Sequence, residues 1–540
     1  MLNRFQPPFR RLTDVGFWDK SHRLFKLLFE HGMQSVRQLA HQTGFSKSSV
    51  SRLQQAMARR NRHRESWLWE TPEGRQWLIR LVVATLYTFA FKRGVGVETI
   101  SEFFIRLHLE THVGCSPSAL RSLLQQLEVI LLEIGQRWEQ EGVESGEVRE
   151  IVGGVDETFL QLLMLVFLDL PTGYVILEET AADRSYDTWQ QLVQQRLETL
   201  GAGVLYLVSD RAKALVRLAV TGLECLSMPD FFHVAHDIVK GYSLALGRHL
   251  RQAHKRFQEA KERAAKHAEC DPTSPLRVKA QAELEASQAE VTRWEEAKDA
   301  YRDHLESLSL GLHPFDLSDS TPQTSKQVES RLRATVTAIQ EWAARYGLAS
   351  REDAMAKVLK QLPDLAALVD FWWACVWRDV EGFALSPLWK SWMQECLLPL
   401  MYWQAQLGRT RGRRQKAKIK QALEAVQARF MAHAITQGLE PELLEQWQDW
   451  AAQRVSAFQR TSSAVEGRNG VLSGLHHNHR GLPKQRFQVW RVLHNFDCRA
   501  SDGTTPAARF FNHEFPDLFE TVLSQIDELP RSRQRRRVAA

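Results

Sequence analysis

Residues 148–158 read VREIVGGVDET, and this stretch decides how the chain is divided. Before it, residues 20–147 have the apolar spacing of helices, with short breaks at glycines. From it to about residue 226, short apolar runs rich in β-branched residues alternate with turn residues and one amphipathic segment. We therefore predict that a mixed α/β unit begins here, between two regions that are mostly helical.

Four apolar runs in this unit predict strands, and they are residues 151–155, 162–168, 174–178 and 204–208. The second and third runs are joined by Asp169-Leu-Pro-Thr-Gly173, whose proline and glycine are typical of a tight turn. Residues 188–200 have helical periodicity and lead into the fourth run. The pattern predicts an antiparallel hairpin, a crossover helix and a further strand.

Two aspartates stand where apolar runs end. Asp156 follows the first run and Asp210 follows the fourth. Each alone is usually a turn residue at the end of a strand. If the first and fourth strands are neighbours, however, both carboxylates lie side by side at one edge of the sheet. Two like charges that close are costly unless a cation lies between them, and hard oxygen ligands suit Mg²⁺ or Mn²⁺.

A third acid must come from elsewhere in the chain. Residues 460–470, RTSSAVEGRNG, predict the start of a helix that Ser462 or Ser463 caps. Asn469 is three positions after Glu466, so the two residues share one face of that helix. From spacing alone, Glu466 is one helical glutamate among many.

Residues 35–53, SVRQLAHQTGFSKSSVSRL, have the anatomy of a helix-turn-helix. Gly44 falls where the turn needs a positive φ, Ser46 can cap the second helix, and Val50 and Leu53 point to the core. The alternative is an ordinary helical hairpin, but the joint spacing favours DNA binding. Residues 99–127 are a weaker second candidate. Phosphates and base edges are within reach of the exposed side chains Lys47, Ser48, Ser51, Arg52, Gln55, Arg59 and Arg60.

The chain beyond the α/β unit is mostly helical. Residues 244–268 and 276–305 are long, charged and separated by a double-proline break, so they predict an antiparallel coiled-coil hairpin. A tryptophan-rich block follows, and we interpret it as a buried helical core rather than a platform for stacking bases. From about residue 501 we predict loops and a disordered basic tail.

Composition places the chain among soluble proteins, since 44% of its residues are hydrophobic and 25% are charged. It has no signal peptide pattern and no apolar run long enough to cross a membrane. Six cysteines without a C-x-x-C pair argue against a zinc site or disulfides and fit a reducing cytosol. The net charge is only +6, but the basic residues are clustered. Clustered basic residues suit DNA, although a solvated basic face has the same pattern.

The stretches VDET around Asp156, VSDRAKAL around Asp210 and SSAVEGRNG around Glu466 resemble the acidic triad of DDE-type insertion-sequence transposases. These enzymes belong to the ribonuclease-H-like, retroviral-integrase superfamily. Asp230-Phe-Phe-His233 also resembles a short Cys/Asp-x-x-His element that follows the fifth strand in many of them. The long interval before Glu466 is similar to that of members with an all-helical insertion.

The resemblance implies an α/β ribonuclease-H-like core with a mixed five-stranded sheet, split by a large all-α insertion and preceded by helical DNA-binding domains. On that basis we divide the chain into six parts. They are a helix-turn-helix domain (1–64), a second helical domain (65–148), the first part of the core (149–243), the insertion (244–458), the second part of the core with the glutamate (459–500) and a basic tail (501–540).

The resemblance also implies a function. Asp156, Asp210 and Glu466 would hold two Mg²⁺ or Mn²⁺ ions. His233 and Asn469 would lie next to these ligands without binding the ions themselves. The activity would be strand cleavage at the ends of an element and transfer of the freed 3′-hydroxyl to target DNA. The expected partner is double-stranded DNA, bound by a homodimer or larger assembly, in the cytoplasm at the nucleoid. Phosphate contacts near the glutamate would come from Arg468, Arg480, Lys484 and Arg486, for which plain surface charge is the alternative.

Two other functions remain open at this point. One is a DNA-binding regulator descended from a transposase, which keeps the helix-turn-helix and has lost the chemistry. The other is a nuclease of the same fold that cuts DNA without joining it. Acids at all three positions argue against the first, and the large helical insertion argues against the second.

Overall fold

The computed structural model describes residues 15–144, 149–240, 242–349, 351–478 and 485–532. Most of these residues are helical, and a single mixed sheet of five strands lies among the helices that are described. Their buried apolar side chains form two clusters. The small cluster draws on residues between Leu24 and Met57, and the large one extends from Leu78 to Ile526. The five sequence-based divisions after residue 64 therefore share one continuous core.

The small cluster belongs to three helices, α1 (Val15–His31), α2 (Val36–Thr43) and α3 (Lys47–Arg60). Gly44 ends α2 with φ of 74°, a conformation that costs glycine little. The Ser46 hydroxyl caps α3 by accepting a hydrogen bond from the Ser49 amide at 3.2 Å. Val50 and Leu53 are buried. These four local predictions for the helix-turn-helix are confirmed.

A 3₁₀ helix (Arg64–Glu70) connects this unit to α4 (Pro72–Thr85), α5 (Val97–Arg106) and α6 (Pro117–Glu144). Arg60, at the end of α3, makes an ion pair of 2.8 Å with the buried Glu70. The Thr111 hydroxyl donates to the backbone carbonyl of Arg60 at 2.9 Å. The end of α3 is therefore fixed to the next helical region. The second helix-turn-helix candidate falls on α5 and the start of α6, and its contact with DNA stays a prediction.

The α/β unit contains β1 (Arg149–Phe159), β2 (Leu163–Asp169), β3 (Val175–Ala181), α7 (Tyr186–Leu200), β4 (Ala202–Ser209), α8 (Lys213–Arg217), β5 (Leu226–Pro229) and α9 (Phe231–Val239). The strand order is β3-β2-β1-β4-β5. The first three strands run antiparallel, whereas β4 pairs parallel to β1 and β5 pairs parallel to β4. The predicted hairpin and crossover helix are confirmed, and so is the neighbouring position of the first and fourth strands.

The next helices are α10 (Tyr242–Lys266), α11 (Pro275–Ser309), α12 (Ser325–Arg345), α13 (Glu352–Gly382), α14 (Pro387–Trp392), α15 (Leu398–Arg409), α16 (Arg413–Ala432), α17 (Ala434–Gly438) and α18 (Pro441–Ser456). Helices α10 and α11 form the predicted antiparallel hairpin, with ion pairs Arg256–Glu290 at 3.0 Å and Arg263–Glu283 at 3.1 Å. Trp392 and Trp403 are fully buried, so the tryptophan-rich block is a core, as predicted.

The last helices are α19 (Ser463–Asn478), α20 (Gln485–Asp497), α21 (Pro506–Phe511) and α22 (Leu518–Leu523). The segment from residue 501 to residue 532 was predicted to be rich in loops, and it is so apart from α21 and α22, which were not predicted. Phe511, Leu518 and Val522 are buried, and the Phe510 ring stacks on Tyr174 at 4.3 Å between centroids. These apolar side chains hold the segment to the large core. The rest of the basic tail lies outside the described residues. Among the described helices, none is both long and apolar enough to cross a membrane.

Candidate active site

Two adjacent glycines of β1 allow close packing, and Gly154 is the one that lets α19 approach the sheet. A Cβ atom on Gly154 would lie 2.9 Å from Cγ2 of Val465, which is on α19, and 2.5 Å from Leu170. A Cβ on Gly153 would meet the ring of Phe167 at 2.4 Å. Both contacts are too short for any other residue type. Because alternate residues of a strand share a face, Asp156 lies on the same face of β1 as Gly154, toward α19.

The register of the parallel strands brings the two aspartates level. Gly154 on β1 pairs with Val208 on β4. Two residues further along the chain from this pair are Asp156, on β1, and Asp210, just past the end of β4, and hydrogen-bonded neighbouring strands are about 4.8 Å apart. Asp210 is exposed just after β4, where its Oδ1 accepts from the Ala212 amide at 2.9 Å. The two aspartates therefore lie at the same end of adjacent strands, as the sequence predicted, and the charge of Asp210 acts on Asp156.

Helix α19 is positioned by a buried face with helical spacing. Val465, Arg468, Asn469 and Leu472 are buried, at i, i+3, i+4 and i+7. Glu466 lies beside this face and its side chain is 44% exposed. The helix thus rests on the sheet through one stripe and presents its glutamate at the margin, in the first turn, where the helix dipole favours a negative charge.

Asn469 connects α19 directly to Asp156. Its Nδ2 donates a hydrogen bond to Oδ2 of Asp156 at 2.8 Å. Its Oδ1 is buried and has no hydrogen-bond partner among the residues that the structure describes. A buried amide oxygen without a partner is costly, so this atom is a candidate to face a ligand.

A chain of polar contacts runs from Glu466 to the end of β5. Nε2 of His233 lies 3.8 Å from Oε1 of Glu466, and Nδ1 of the same ring lies 3.2 Å from Oδ2 of Asp230. Asp230 caps α9 by accepting from the Phe232 amide at 2.7 Å. The Ser462 hydroxyl also donates to the buried Asp230. Ser462 was predicted as a possible cap for α19, but its hydroxyl instead ties the start of α19 to α9.

The pKa of Asp156 is raised by its burial and by the neighbouring acids. Burial raises the pKa of its carboxyl to about 6, and the negative charges of Glu466 and Asp210 act in the same direction. A backbone hydrogen bond from Glu157 and the ring of His233 oppose the rise in the pKa. A cation among the three acids would offset their repulsion.

The donors present fit divalent metal ions of the hard type. Three carboxylates and one amide oxygen are the ligands that Mg²⁺ and Mn²⁺ prefer. Within the described part of the chain, the oxygens of Asp156, Asp210 and Glu466 are not all within 4.8 Å of one another. That spread is wide for one ion. Two ions about 3.5–4 Å apart draw their ligands from a wider area.

His63, Glu65 and His108 do have ligand atoms within 4.8 Å of one another. The two imidazole rings stack with centroids 3.6 Å apart and planes 6° apart. The in-plane lone pairs of two stacked rings lie in separate parallel planes, so they do not converge on one ion. Nδ1 of His108 lies 2.9 Å from Glu65, so the cluster links the end of α3 to the segment after α5.

Two arginines predicted to contact phosphates are buried in ion pairs, and those predictions are wrong. Nε and Nη2 of Arg468 donate to the two carboxylate oxygens of Glu178 on β3, at 2.7 and 3.0 Å. Arg486 pairs with the buried Glu128, where its Nε and Nη2 both contact Oε1 at 2.5 Å. Both side chains neutralise a buried glutamate, which takes them out of reach of DNA. Glu178 was missed because a strand residue of this kind carries no signal in one sequence.

The face of α3 that was predicted to contact DNA is mostly exposed to solvent. Lys47, Ser48, Arg52, Gln55 and Arg59 are exposed, and Ser51 is half-buried. Arg60 differs from the prediction because it pairs with Glu70, as described above. Arg480 and Lys484 lie outside the described residues, so the prediction that they contact DNA has no structural counterpart here.

Comparison with known proteins gives one partial match. A family described as "Family of unknown function (DUF6399)" matches residues 393–538. That range includes α19 with Glu466 and Asn469 but neither aspartate. Among curated proteins, none matches this chain.

Proposed function

We propose that this chain is a DNA transposase of the DDE type, in which Asp156, Asp210 and Glu466 hold two Mg²⁺ or Mn²⁺ ions. One observation carries the proposal. Two aspartates lie level at the ends of adjacent parallel strands, and a glutamate and an asparagine approach them from a helix packed on the same face. Oxygen ligands converging from two strands and one helix suit metal-dependent phosphoryl transfer.

The order of the parts supports the same proposal. A ribonuclease-H-like core is expected to have a mixed five-stranded sheet, and the sheet order β3-β2-β1-β4-β5 with β1 to β3 antiparallel agrees with that expectation. Helices α10 to α18 separate β5 from α19, where an all-helical insertion is expected. We therefore propose a ribonuclease-H-like fold interrupted by this insertion.

The bound ions would activate water or a 3′-hydroxyl and stabilise the leaving oxygen. The chain's own residues hold the ligands for this chemistry. Asn469 holds Oδ2 of Asp156 by a hydrogen bond and so restrains the carboxylate. His233, which lies between Asp230 and Glu466, restrains the glutamate from the side of α9. Positioning of this kind typically changes metal affinity or activity by about 10- to 100-fold.

The N-terminal unit would supply recognition of the DNA ends. Its separate small core allows α3 to be presented as a module, and the exposed Lys47, Arg52 and Gln55 are able to reach base edges and phosphates. We expect the partner to be double-stranded DNA. We also expect a homodimer or larger assembly, because joining two ends requires two sites.

A cleavage and joining assay tests the proposal. Duplexes that carry the DNA flanking the gene would be incubated with purified protein and Mg²⁺, and nicked and joined strands would be counted. The variants are Asp156→Asn and Glu466→Gln, with Glu157→Gln as the matched control. Glu157 is the adjacent acid and pairs with Arg184 at 3.0 Å.

Loss of both products in the two variants, with activity retained by the control, supports the proposal. Cutting without joining by the wild type would assign a nuclease instead. Binding of the flanking DNA without any cutting would favour the regulator.

A further inference from the structure

A basic groove of about 610 Å³ begins beside Asp210 and is not part of the carboxylate site. One wall comes from residues 211–221, which follow β4 and include α8, and the other from α13 of the helical insertion. Its cationic lining consists of Arg211, Lys213, Arg217, Lys357 and Lys360. These residues are far apart in the sequence, and only the fold brings them together.

Positive charge dominates the groove. Five cations face one lining carboxylate, Asp364, which pairs with Arg211. Lys357 pairs with Asp237 at 2.8 Å. Within the described parts of the chain, Lys213 and Lys360 are exposed and have no carboxylate within ion-pair distance. At least two cations are thus available to an anionic ligand, in a concave surface that concentrates their field.

The backbone of Arg211 turns its side chain toward this groove. Its φ is 65°, a left-handed conformation that is uncommon for residues other than glycine. Its amide donates to the Ser209 hydroxyl at 3.2 Å, which stabilises the turn. The residue directly after a candidate metal ligand is therefore held in an unfavourable conformation. Such strain is often found where a side chain must be aimed at a ligand.

The lining shows which part of a nucleic acid fits the groove. Its apolar members are aliphatic, Val216 and Val220, and no aromatic ring is among the described lining residues. Tyr186 is nearby, but Arg217 covers its ring at 4.1 Å. Proteins that bind bases usually stack them on aromatic rings, whereas cations alone contact phosphates.

We infer that this groove binds the phosphodiester backbone of DNA on the Asp210 side of the active site, without regard to sequence. The inference rests on the proposed function for its ligand. The insertion would then do more than separate two parts of the core, because α13 supplies Lys357 and Lys360 to the DNA path. Binding there would hold the strand against the carboxylates while α3 reads the ends.

The test measures salt-dependent binding of a fluorescent duplex of arbitrary sequence, without divalent metal so that no cleavage occurs. The double variant Lys213→Gln/Lys360→Gln is compared with Lys261→Gln/Lys279→Gln, which removes two exposed lysines from the α10–α11 hairpin. Each phosphate contact adds about 0.9 to the slope of log K against log salt. We expect the groove variant to lower that slope by about 1 to 2 between roughly 50 and 200 mM NaCl.

An unchanged slope in the groove variant, or an equal fall in the hairpin variant, overturns the inference. Thermal unfolding of both variants, expected at the wild-type temperature, checks that the fold is intact. Because the binding assay contains no Mg²⁺, its result does not depend on cleavage. If the wild type binds DNA in this assay but shows no cleavage in the assay with Mg²⁺, the proposed function is wrong and the inference about the groove is unaffected. If cleavage depends on Asp156 but the salt slope of Lys213→Gln/Lys360→Gln equals that of the wild type, only the inference about the groove is wrong.

Discussion

Nδ2 of Asn469 donates a hydrogen bond to Oδ2 of Asp156 at 2.8 Å and so joins α19 to β1 at the candidate active site. The two residues are distant in sequence, and their contact depends on Gly154, which lets α19 approach the sheet. Asp156 thereby has its Oδ2 held by α19, and the backbone of Glu157 also donates to the same carboxylate. The contact fixes how the most buried of the three carboxylates is oriented.

Replacing Asn469 tests this orientation. We expect Asn469→Ala to slow strand cleavage by about 10- to 100-fold and to raise the Mg²⁺ concentration needed for half-maximal activity. The KM for DNA should change little, and excess Mg²⁺ should restore part of the rate. The measurement is a Mg²⁺ titration of the cleavage rate. Gly470→Ala is the control, because a Cβ there meets nothing within 4 Å. A wild-type Mg²⁺ profile for Asn469→Ala would show that the hydrogen bond is not needed for metal binding.

The Arg468–Glu178 pair should be a large contributor to stability. Its side chains are 4% and 0% exposed, so Arg468→Met would leave a buried carboxylate without a partner. We expect a loss of about 3–5 kcal/mol in the free energy of unfolding, measured with urea. Arg468→Met/Glu178→Met should recover most of that loss. As a control, Arg106→Met breaks an exposed pair and should change stability by less than about 1 kcal/mol. Equal stability of Arg468→Met and Arg106→Met would contradict the assignment.

Substitutions in α3 should distinguish the residues that recognise DNA from those that stabilise the fold. Arg52→Ala and Gln55→Ala remove exposed side chains, so they should weaken binding to the element ends by about 1–3 kcal/mol each and leave the unfolding temperature unchanged. Arg60→Ala removes the partner of the buried Glu70 and should lower the unfolding temperature. Gel-shift titrations and thermal unfolding measure the two effects. Specific binding by Arg52→Ala/Gln55→Ala at wild-type strength would remove α3 as the recognition helix.

Acid should destabilise the fold partly through His494. Burial lowers the pKa of its ring to about 3, and its Nε2 lies 3.0 Å from the Gly173 carbonyl. Because the unfolded chain takes up this proton near pH 6.5 and the folded chain does not, stability falls as the pH falls from about 6.5 toward 3. The slope is at most about 1.4 kcal/mol per pH unit.

His494→Gln keeps a donor for the Gly173 carbonyl and removes the titrating ring. We therefore expect the variant to lose less stability than the wild type between pH 7 and pH 5. Unfolding temperatures measured across this range check the difference. Parallel curves for the two proteins would mean that His494 titrates alike in the folded and unfolded chains.

The sequence was most informative where the signal is local. Gly44, Ser46 and the hairpin turn at Gly173 were predicted because backbone geometry restricts which residues fit. The pairing of β1 with β4 was stated as a condition, and the structure satisfies it. Contacts between residues that are distant in the sequence were harder to predict. The ion-pair partner of Arg468 was not predicted because nothing in its neighbourhood reveals Glu178, and the groove cations come from two distant segments.

The two short helices α21 and α22 were not predicted for a related reason. Phe511 and Leu518 stand among prolines and polar residues typical of loops, and only their contact with the large core makes their helices stable. The buried stripe of α19, by contrast, was present in the spacing of Val465, Arg468, Asn469 and Leu472. Reading that stripe would have placed Arg468 toward the sheet.

The most direct test of the central claim replaces Asp210 and varies the metal. Strand cleavage of the flanking DNA would be measured for the wild type, Asp210→Ala and Asp210→Cys, each in Mg²⁺ and in Mn²⁺. A thiolate binds Mg²⁺ poorly and accepts softer ions better. If Asp210 is a metal ligand, Asp210→Ala is inactive in both metals, and Asp210→Cys is inactive in Mg²⁺ and regains activity in Mn²⁺. Cleavage by Asp210→Ala at the wild-type rate in Mg²⁺ would contradict the claim that these carboxylates hold the catalytic metals.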